Sequence, residues 1–476
     1  MKLKQILSGL PVLTTCGNED IEITSITNDS RKCAPGTLFV AVRGFQTDGH
    51  KYIASAVELG ASAVLCEEHF PGIDATQIVV ANSRRSEAIA AANFYGNPSK
   101  KFKLIGVTGT NGKTTVTYLV RHILESCGHK VGLIGTNQNI IGSTVLETGR
   151  TTPDSIELQE IFAKMADASI DYCVMEVSSH ALELDRVYGC TYDVGAFTNL
   201  TQDHLDFHIT MENYAAAKYK LMEISDKAVI NTDDSYGKEM CDKCKCQCIS
   251  YSKNNSASKL FASDVDLSSK GVKFSASGVS YSLPIPGEFS VYNALCAIGI
   301  AKAIGIDDEK IADALASASG VKGRAEVVPT NTDYTVIIDY AHTPDGIENI
   351  LSAVRGFAEG RVVIVFGCGG DRDNTKRPIM GEIAGKMADF CVVTSDNPRT
   401  EDPLRIISMV EEGVKRSGGD YVVIESRRDA IKYALDNAQK GDCIVLAGKG
   451  HETYQMLKTG TIHFDEREVV KEILGQ

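Results

Sequence analysis

The sequence predicts an α/β protein of three consecutive domains, and three observations carry that expectation. Short apolar runs alternate with amphipathic helical patterns along most of the chain, the mark of parallel sheets covered by helices. The pattern falls into three blocks, with changes near Pro98 and Val327. The length, 476 residues, corresponds to about three domains at roughly 150 residues each. The expected boundaries are 1–98, 99–327 and 328–476. They enclose an N-terminal α/β domain, a central domain with a mostly parallel, doubly wound sheet, and a C-terminal Rossmann-like domain.

In the first block, Thr37–Val42, Ala63–Cys66 and Gln77–Val80 read as strands among Ala-rich helical stretches, and Gly96–Lys101 reads as a linker. The second block opens with a strand, Phe102–Thr108, and a Gly-rich turn. A helix follows, with Val116, Leu119, Val120, Ile123, Leu124 and Cys127 on one face and Gly128 placed as its C-cap. Further strands are expected at Lys130–Ile134, Asp171–Met175, Tyr192–Phe197 and Lys227–Ile230. In the third block the expected strands are Tyr334–Ile338, Arg361–Phe366, Phe390–Thr394, Tyr421–Ile424 and Asp442–Leu446, with helices near 346–357, 377–387, 403–416 and 427–438.

Composition narrows the function classes. Hydrophobic residues make up 43% and charged residues 23%, ordinary for a globular chain and unlike disordered, collagen-like or coiled-coil sequences. The 49 Lys and Arg against 62 Asp and Glu leave a net charge of −13. So acidic a chain is a poor general binder of nucleic acid or anionic membrane, and any phosphate site has to be local. No stretch approaches the ~20 apolar residues of a membrane span. Gln5, Ser8, Gly9 and Pro11 interrupt the opening Met1–Leu13 run, which reads as a first amphipathic element, not a signal peptide, so the expected compartment is the cytoplasm. Of the 14 cysteines, ten are isolated, and those in apolar strands (Cys173, Cys368, Cys391, Cys443) behave as small hydrophobes. The other four form Cys241-x-x-Cys244-x-Cys246-x-Cys248. Structural zinc sites usually hold their second ligand pair a dozen or more residues away. A reduced loop or short strand is therefore favoured over a metal site, and alternation would put Cys244, Cys246 and Cys248 on one face of such a strand.

The chemistry-bearing motifs follow strands. Gly109-Thr110-Asn111-Gly112-Lys113-Thr114-Thr115 lies between a strand and a helix. Its glycines let backbone N–H groups approach phosphates, Lys113 reaches the β- and γ-phosphates, and the Thr114 hydroxyl suits Mg²⁺. Val107 stands where the longer Walker loop has glycine, so this is a shorter variant. Glu176 ends a strand as part of Glu176-Val-Ser178-Ser179-His180, a position open either to Mg²⁺ or to plain solvation. Thr198-Asn199-Leu-Thr201-Gln-Asp203-His204-Leu-Asp206-Phe-His208 crowds acid–base groups at the next strand end. Asp339-Tyr-Ala-His342-Thr-Pro344-Asp345 follows a C-terminal strand; His342 there either meets nucleotide or bonds its own loop. Gly367-Cys-Gly-Gly370-Asp371-Arg372-Asp373, Asp396-Asn397-Pro398-Arg399 and Gly448-Lys-Gly450-His451-Glu452 each follow another strand. Arg372 and Arg399 suit a carboxylate, while Asp396 and Glu452 suit an ammonium; together they match either an amino acid or a surface ion-pair network.

These motifs, in this order and over essentially the whole chain, resemble the Mur ligase family of ATP-dependent amide-forming enzymes of peptidoglycan precursor synthesis, and most closely its diaminopimelate-adding branch. The resemblance implies an N-terminal domain for the UDP end of a nucleotide sugar, a central P-loop-type ATPase domain and a C-terminal domain that brings the amino acid. It implies UDP-sugar contacts at Ser30, Gly44, Phe45, Gln46 and Thr47, and muramoyl-dipeptide contacts at Thr151, Thr152, Ser178 and Arg186. Leu184 stands where diaminopimelate-adding relatives often have glutamine. ATP contacts are implied at residues 109–115, Asn293, Arg324, Asp339 and His342. Lys218 matches a lysine that is carbamylated, although composition alone makes it a snorkelling helix residue. Thr114, Glu176, His204 and carbamylated Lys218 are the implied Mg²⁺ ligands. Arg372, Asp396, Asn397, Pro398, Arg399, Gly448 and Glu452 are the implied meso-diaminopimelate contacts, with the arginines selecting its second carboxylate over lysine.

The implied reaction joins meso-diaminopimelate to the D-Glu of UDP-MurNAc-L-Ala-D-Glu through an acyl phosphate, with Lys113, Lys218 and His204 as the catalytic set and a monomer as the working unit. Two rivals are a folylpolyglutamate synthetase-like ligase, which should lack the N-terminal Asp29-Ser30-Arg31 to Thr47 block, and a non-enzymatic nucleotide-gated scaffold.

Overall fold

Strand Lys103–Thr108 is the axis about which the middle of the chain is organised. In the computed structural model, which describes residues 1–44, 47–146, 148–268 and 271–476, this strand lies between Tyr172–Glu176 and Tyr192–Phe197 and is parallel to both. Beyond Tyr172–Glu176 come Val131–Ile134, then Asn139–Ile141 and Thr144–Leu146. Beyond Tyr192–Phe197 come Ser225–Asn231, Gln247–Ser252 and Leu260–Phe261. The first strand of this sheet in sequence thus sits inside it, with later strands added on either side. That topology opens a crevice at the carboxyl ends of the central strands, where open α/β sheets bind ligands.

Helices cover both faces. Helix Lys113–Ser126 buries Val116, Leu119, Val120, Ile123 and Leu124 against helix Glu288–Ala303, which is apolar almost all round. Each such side chain contributes about 1.5–3 kcal/mol. Gly112 at its N-cap and Gly128 just past its end both have positive φ, so the helix starts at Lys113 and stops on the expected glycine. The other face packs on helices Ser155–Asp167 and Met211–Glu223.

The C-terminal sheet runs Glu326–Val328, Thr335–Asp339, Cys443–Ala447, Val362–Phe366, Phe390–Val393, Tyr421–Val423, all parallel except the first. The last strand in sequence is inserted mid-sheet, so the loops after residues 339, 366, 393 and 447 share one edge. Near the N-terminus a five-stranded sheet runs Val12–Cys16, Thr76–Val80, Ala61–Cys66, Thr37–Val40, Ser25–Thr27. Among the described residues no helix is long and apolar enough to cross a membrane.

The expected strands and helices are present within a few residues of their ends. The differences are antiparallel additions: the Asn139–Leu146 hairpin, a three-stranded sheet of Ser263–Ser268, Gly271–Ala276 and Val279–Leu283, and the pair Tyr454–Leu457 with Gly460–His463. These are short and half polar, so they lack the apolar runs that betray the parallel strands. At the N-terminus only Leu3–Ile6 is helical. The cysteine cluster spans a helix end, a loop and the start of a strand. Helix Ser235–Lys243 carries Cys241, the next strand starts only at Gln247, and the sulfurs form two pairs, Cys241–Cys248 and Cys244–Cys246, each 3.3 Å apart. Among the described residues no three His, Cys, Asp or Glu side chains gather as a metal cage.

Candidate active site

Three neighbouring strand ends build the central site. After Lys103–Thr108, the turn at Gly109 (φ 147°) leaves no room for a side chain: a Cβ would lie 1.8 Å from Thr198 Oγ1. Thr198 donates to the Asn111 carbonyl at 2.6 Å, and Asn111 N–H donates to Asn199 Oδ1 at 2.9 Å. The loop is thereby fixed by the end of the adjoining strand. Two ammonium groups meet on it. Lys113 Nζ donates to the carbonyls of Gly109 (3.0 Å) and Thr110 (2.8 Å), and Lys218 Nζ donates to the same Gly109 carbonyl at 2.8 Å. Burial lowers the pKa of both lysines, and Lys113 repels Lys218 further. Among the described residues neither has a carboxylate at salt-bridge distance.

At the second strand end Glu176, 1% exposed, accepts from the Thr136 N–H (2.9 Å) and hydroxyl (3.0 Å). The Thr136 hydroxyl also meets that of Thr151 at 3.0 Å. Thr152 donates to the Glu176 carbonyl at 2.9 Å and accepts from Ser178 N–H at 3.0 Å. Ser178 caps the short helix Ser179–Glu183, and Leu184 is that helix's half-buried C-cap. Arg186 donates to the Thr152 carbonyl and pairs with Asp154, both at 3.0 Å. At the third strand end His204 takes φ 53° and lies 3.4 Å from Asp203. Its ring packs edge-on against His180, 4.8 Å away. His208 is buried on the Ser179 hydroxyl, and desolvation lowers its pKa to about 4.

The C-terminal block faces this edge across a cavity of about 710 Å³, lined by Asn111, Gly112, Asn293, Arg324, Asp339 and His342 among others. Arg324 crosses to donate to Thr114 Oγ1 at 3.1 Å and stacks on Tyr340. Asp339 is held by the N–H groups of Ala325 (2.6 Å) and Ala341 (2.8 Å). His342 bonds its own loop, at the Tyr340 carbonyl. Asp345, which ends the Asp339–Asp345 motif with no role expected from sequence, receives both Asn111 and Thr201 and so ties the two blocks together.

The far loops of the C-terminal sheet gather too. Asn397 donates to Glu452 at 2.8 Å, and Lys449, wholly buried, bonds both of them. Arg399 (φ 52°) donates to the Gly370 carbonyl at 2.8 Å. Pro398 is buried beside it, and its carbonyl would meet a Cβ on Gly370 at 2.0 Å. Arg372 is exposed and donates to the Asp371 carbonyl. Arg377, missed from sequence, grips Glu401 with two nitrogens at 2.8 and 3.0 Å, and Glu401 also accepts from Asp371 N–H. Non-glycine residues with positive φ recur here (His204, Ala325, Asp371, Arg399), the kind of strain that surrounding structure has to hold in place.

At the N-terminal block, Ser30 lies half-buried in the turn Ser30–Lys32 capped by Asp29. Gly44 N–H donates to the Thr47 carbonyl at 2.9 Å, and Thr47 is exposed. Phe45 and Gln46 lie outside the described residues.

Comparison with known proteins adds the family. Residues 22–97, 107–301 and 323–450 match family models described as "Mur ligase family, catalytic domain", "Mur ligase middle domain" and "Mur ligase, glutamate ligase domain". A UDP-N-acetylmuramoyl-L-alanyl-D-glutamate–2,6-diaminopimelate ligase of Caldanaerobacter subterraneus subsp. tengcongensis is 50% identical, over 100% of this chain and 99% of its own. The chain belongs to the Mur ligase family. Another family member, the ligase of the same name from Clostridium botulinum, is 49% identical over 100% of both chains. A solved structure of a ligase with that name is 30% identical, with a TM-score of 0.71 over 100% of this chain and 99% of its own. The Mur ligase fold extends to a Mycobacterium tuberculosis folylpolyglutamate synthase solved with ADP and AMPPCP: 19% identity, TM-score 0.64, 82% of this chain and 95% of that one. The candidate site lies where the middle and glutamate ligase segments of the family meet.

Proposed function

We propose that the chain is an ATP-dependent, ADP-forming ligase that joins meso-diaminopimelate to the D-Glu of UDP-MurNAc-L-Ala-D-Glu. One observation carries the reading: two ammonium groups, that of Lys218 buried and that of Lys113 half-buried, share the Gly109 carbonyl at a strand-end phosphate loop, across a cavity from Arg324, Asp339 and His342. Cations so placed, without a carboxylate, call for an anionic ligand. The relatives, alike over the full chain, supply the substrate class. The folylpolyglutamate rival has no use for the N-terminal block, which matches the family here.

ATP lies on residues 109–115, with Asn293, Arg324, Asp339 and His342 around it. The D-Glu γ-carboxylate attacks the γ-phosphorus, ADP leaves, and an acyl phosphate forms while Lys113 offsets the charge. The amine of meso-diaminopimelate attacks the acyl carbon, inorganic phosphate departs, and the nitrogen's proton goes to solvent. Thr151, Thr152, Ser178 and Arg186 position the acceptor, and Ser30, Gly44 and Thr47 its UDP end. Asp396, Asn397, Arg399 and Glu452 position the amine, and Arg399 meets its second carboxylate. Closure of the C-terminal block on Thr114 and Asn111 excludes water.

Thr114, Glu176 and His204 fit a hard divalent cation, with a buried carboxylate and a hydroxyl on adjoining strand ends. Lys218, wholly buried on one carbonyl, fits the role only as its carbamate, whose anionic oxygens replace an ammonium that would repel the ion. Bound Mg²⁺ supplies charge neutralisation to the phosphates. We place the reaction in the cytoplasm and in a single chain.

The test is an amine panel. Given ATP, Mg²⁺ and UDP-MurNAc-L-Ala-D-Glu, the protein should yield the tripeptide mass with meso-diaminopimelate and little product with lysine. Equal product with lysine, or none with either, refutes the reading.

A further inference from the structure

Beneath the proposed amine site lies a buried charge relay that the expected contacts do not include. Arg427 opens helix Arg427–Asp436, and Glu466 opens helix Glu466–Leu474. Both side chains are 0% exposed. Arg427 Nε donates to Glu466 Oε1 at 2.8 Å, and Nη2 donates to the Ala447 carbonyl at 2.8 Å. Among the described residues the remaining nitrogen, Nη1, is buried without a hydrogen-bond partner and lies 3.8 Å from Asp396 Oδ2, a buried oxygen that also lacks one. Gly448 makes the space: a Cβ there would stand 2.5 Å from the same oxygen.

The neighbouring carboxylate is provided for differently. Glu452 is held directly by Lys449 at 3.0 Å. Among the described residues Asp396 has one cation at salt-bridge distance, Arg427. A carboxylate so enclosed needs a countercharge to offset its desolvation. Glu466 in turn prevents the guanidinium from swinging away, because two of its three nitrogens are committed elsewhere. We infer that Arg427, braced by Glu466, is a positioning residue for the amino-acid substrate. It holds Asp396 with Oδ2 turned inward, so that Oδ1 is presented to the ammonium of the incoming amino acid. This inference rests on the ligase reading.

The experiment measures the three KM values, and direct meso-diaminopimelate binding by calorimetry, for wild type, Arg427→Met, Arg427→Lys and Glu466→Gln. In Arg427→Met the KM for meso-diaminopimelate should rise about tenfold or more, while those for ATP and the UDP-linked acceptor stay within about twofold. Arg427→Lys should recover most of the loss, and Glu466→Gln should fall between. If Arg427→Met does not fold, the other two variants decide. An unchanged KM for meso-diaminopimelate in a folded variant, or an equal rise in all three, overturns the inference. Wild-type protein that neither binds nor joins meso-diaminopimelate refutes the ligase reading instead.

Discussion

The two sheet edges that face each other handle charge in opposite ways. At the central edge, Lys113 and Lys218 crowd one carbonyl with no carboxylate at salt-bridge distance among the described residues. At the C-terminal edge, Lys449 meets Glu452, Arg377 meets Glu401, and Arg427 meets Glu466. The first edge is incomplete without an anion. The second is internally balanced, so it holds its shape before anything binds. A site for a polyanion tolerates unpaired cations because the ligand brings the countercharge. A site that must distinguish one amino acid from another needs its receptors already fixed.

Removing one of the ammonium groups of the central edge is the harshest way to break this contrast. Lys113→Ala should lower kcat about 10³-fold or more in a phosphate-release assay; near-normal kinetics would refute the phosphate-loop assignment. Lys218→Ala should cost roughly 10²-fold or more and regain activity when small carboxylic acids stand in for the proposed carbamate. A fully active variant indifferent to added acid would show that the modification is irrelevant.

On the balanced edge the effects should be selective and smaller. Arg399→Ala should raise the KM for meso-diaminopimelate about 30–100-fold and leave that for ATP nearly unchanged; an equal effect on both would remove its recognition role. The mildest effect belongs to Glu401. Arg377, and then the Asp371 N–H, lower its pKa from 4.5 to about 2. The stabilisation is therefore complete above the unfolded value and is lost as pH falls from about 4.5 toward 2. It amounts to about 1–2 kcal/mol once screening of a partly exposed pair is allowed for. Thermal melts of Glu401→Gln should show a flatter acid limb over that interval, and an unaltered limb would mean the pair contributes nothing.

The parts legible in the sequence share a cause. The loop at 109–115 is contiguous, and its glycines are required by the backbone itself: φ 147° at Gly109 and 84° at Gly112. Parallel strands such as Tyr192–Phe197 are buried on both faces and so stand out as apolar runs. Arg427 and Glu466 were not legible. They are 39 residues apart, each opens an amphipathic helix, and nothing in a linear pattern distinguishes a buried charge from a solvated one. Nor does the motif around Arg372 reveal that its side chain is exposed and donates to the Asp371 carbonyl.

By itself, then, the sequence determined the α/β class, the strand-end position of each motif and the membership of the family, because periodicity, glycine conformation and contiguous motifs are local properties. Only the tertiary structure decided which charges are buried and what faces them: that Lys113 and Lys218 converge, that Asp345 ties two blocks, and that Asp396 has Arg427 behind it. Electrostatic partners are set by distance and solvent exclusion in the folded chain, and neither quantity is written in residue order.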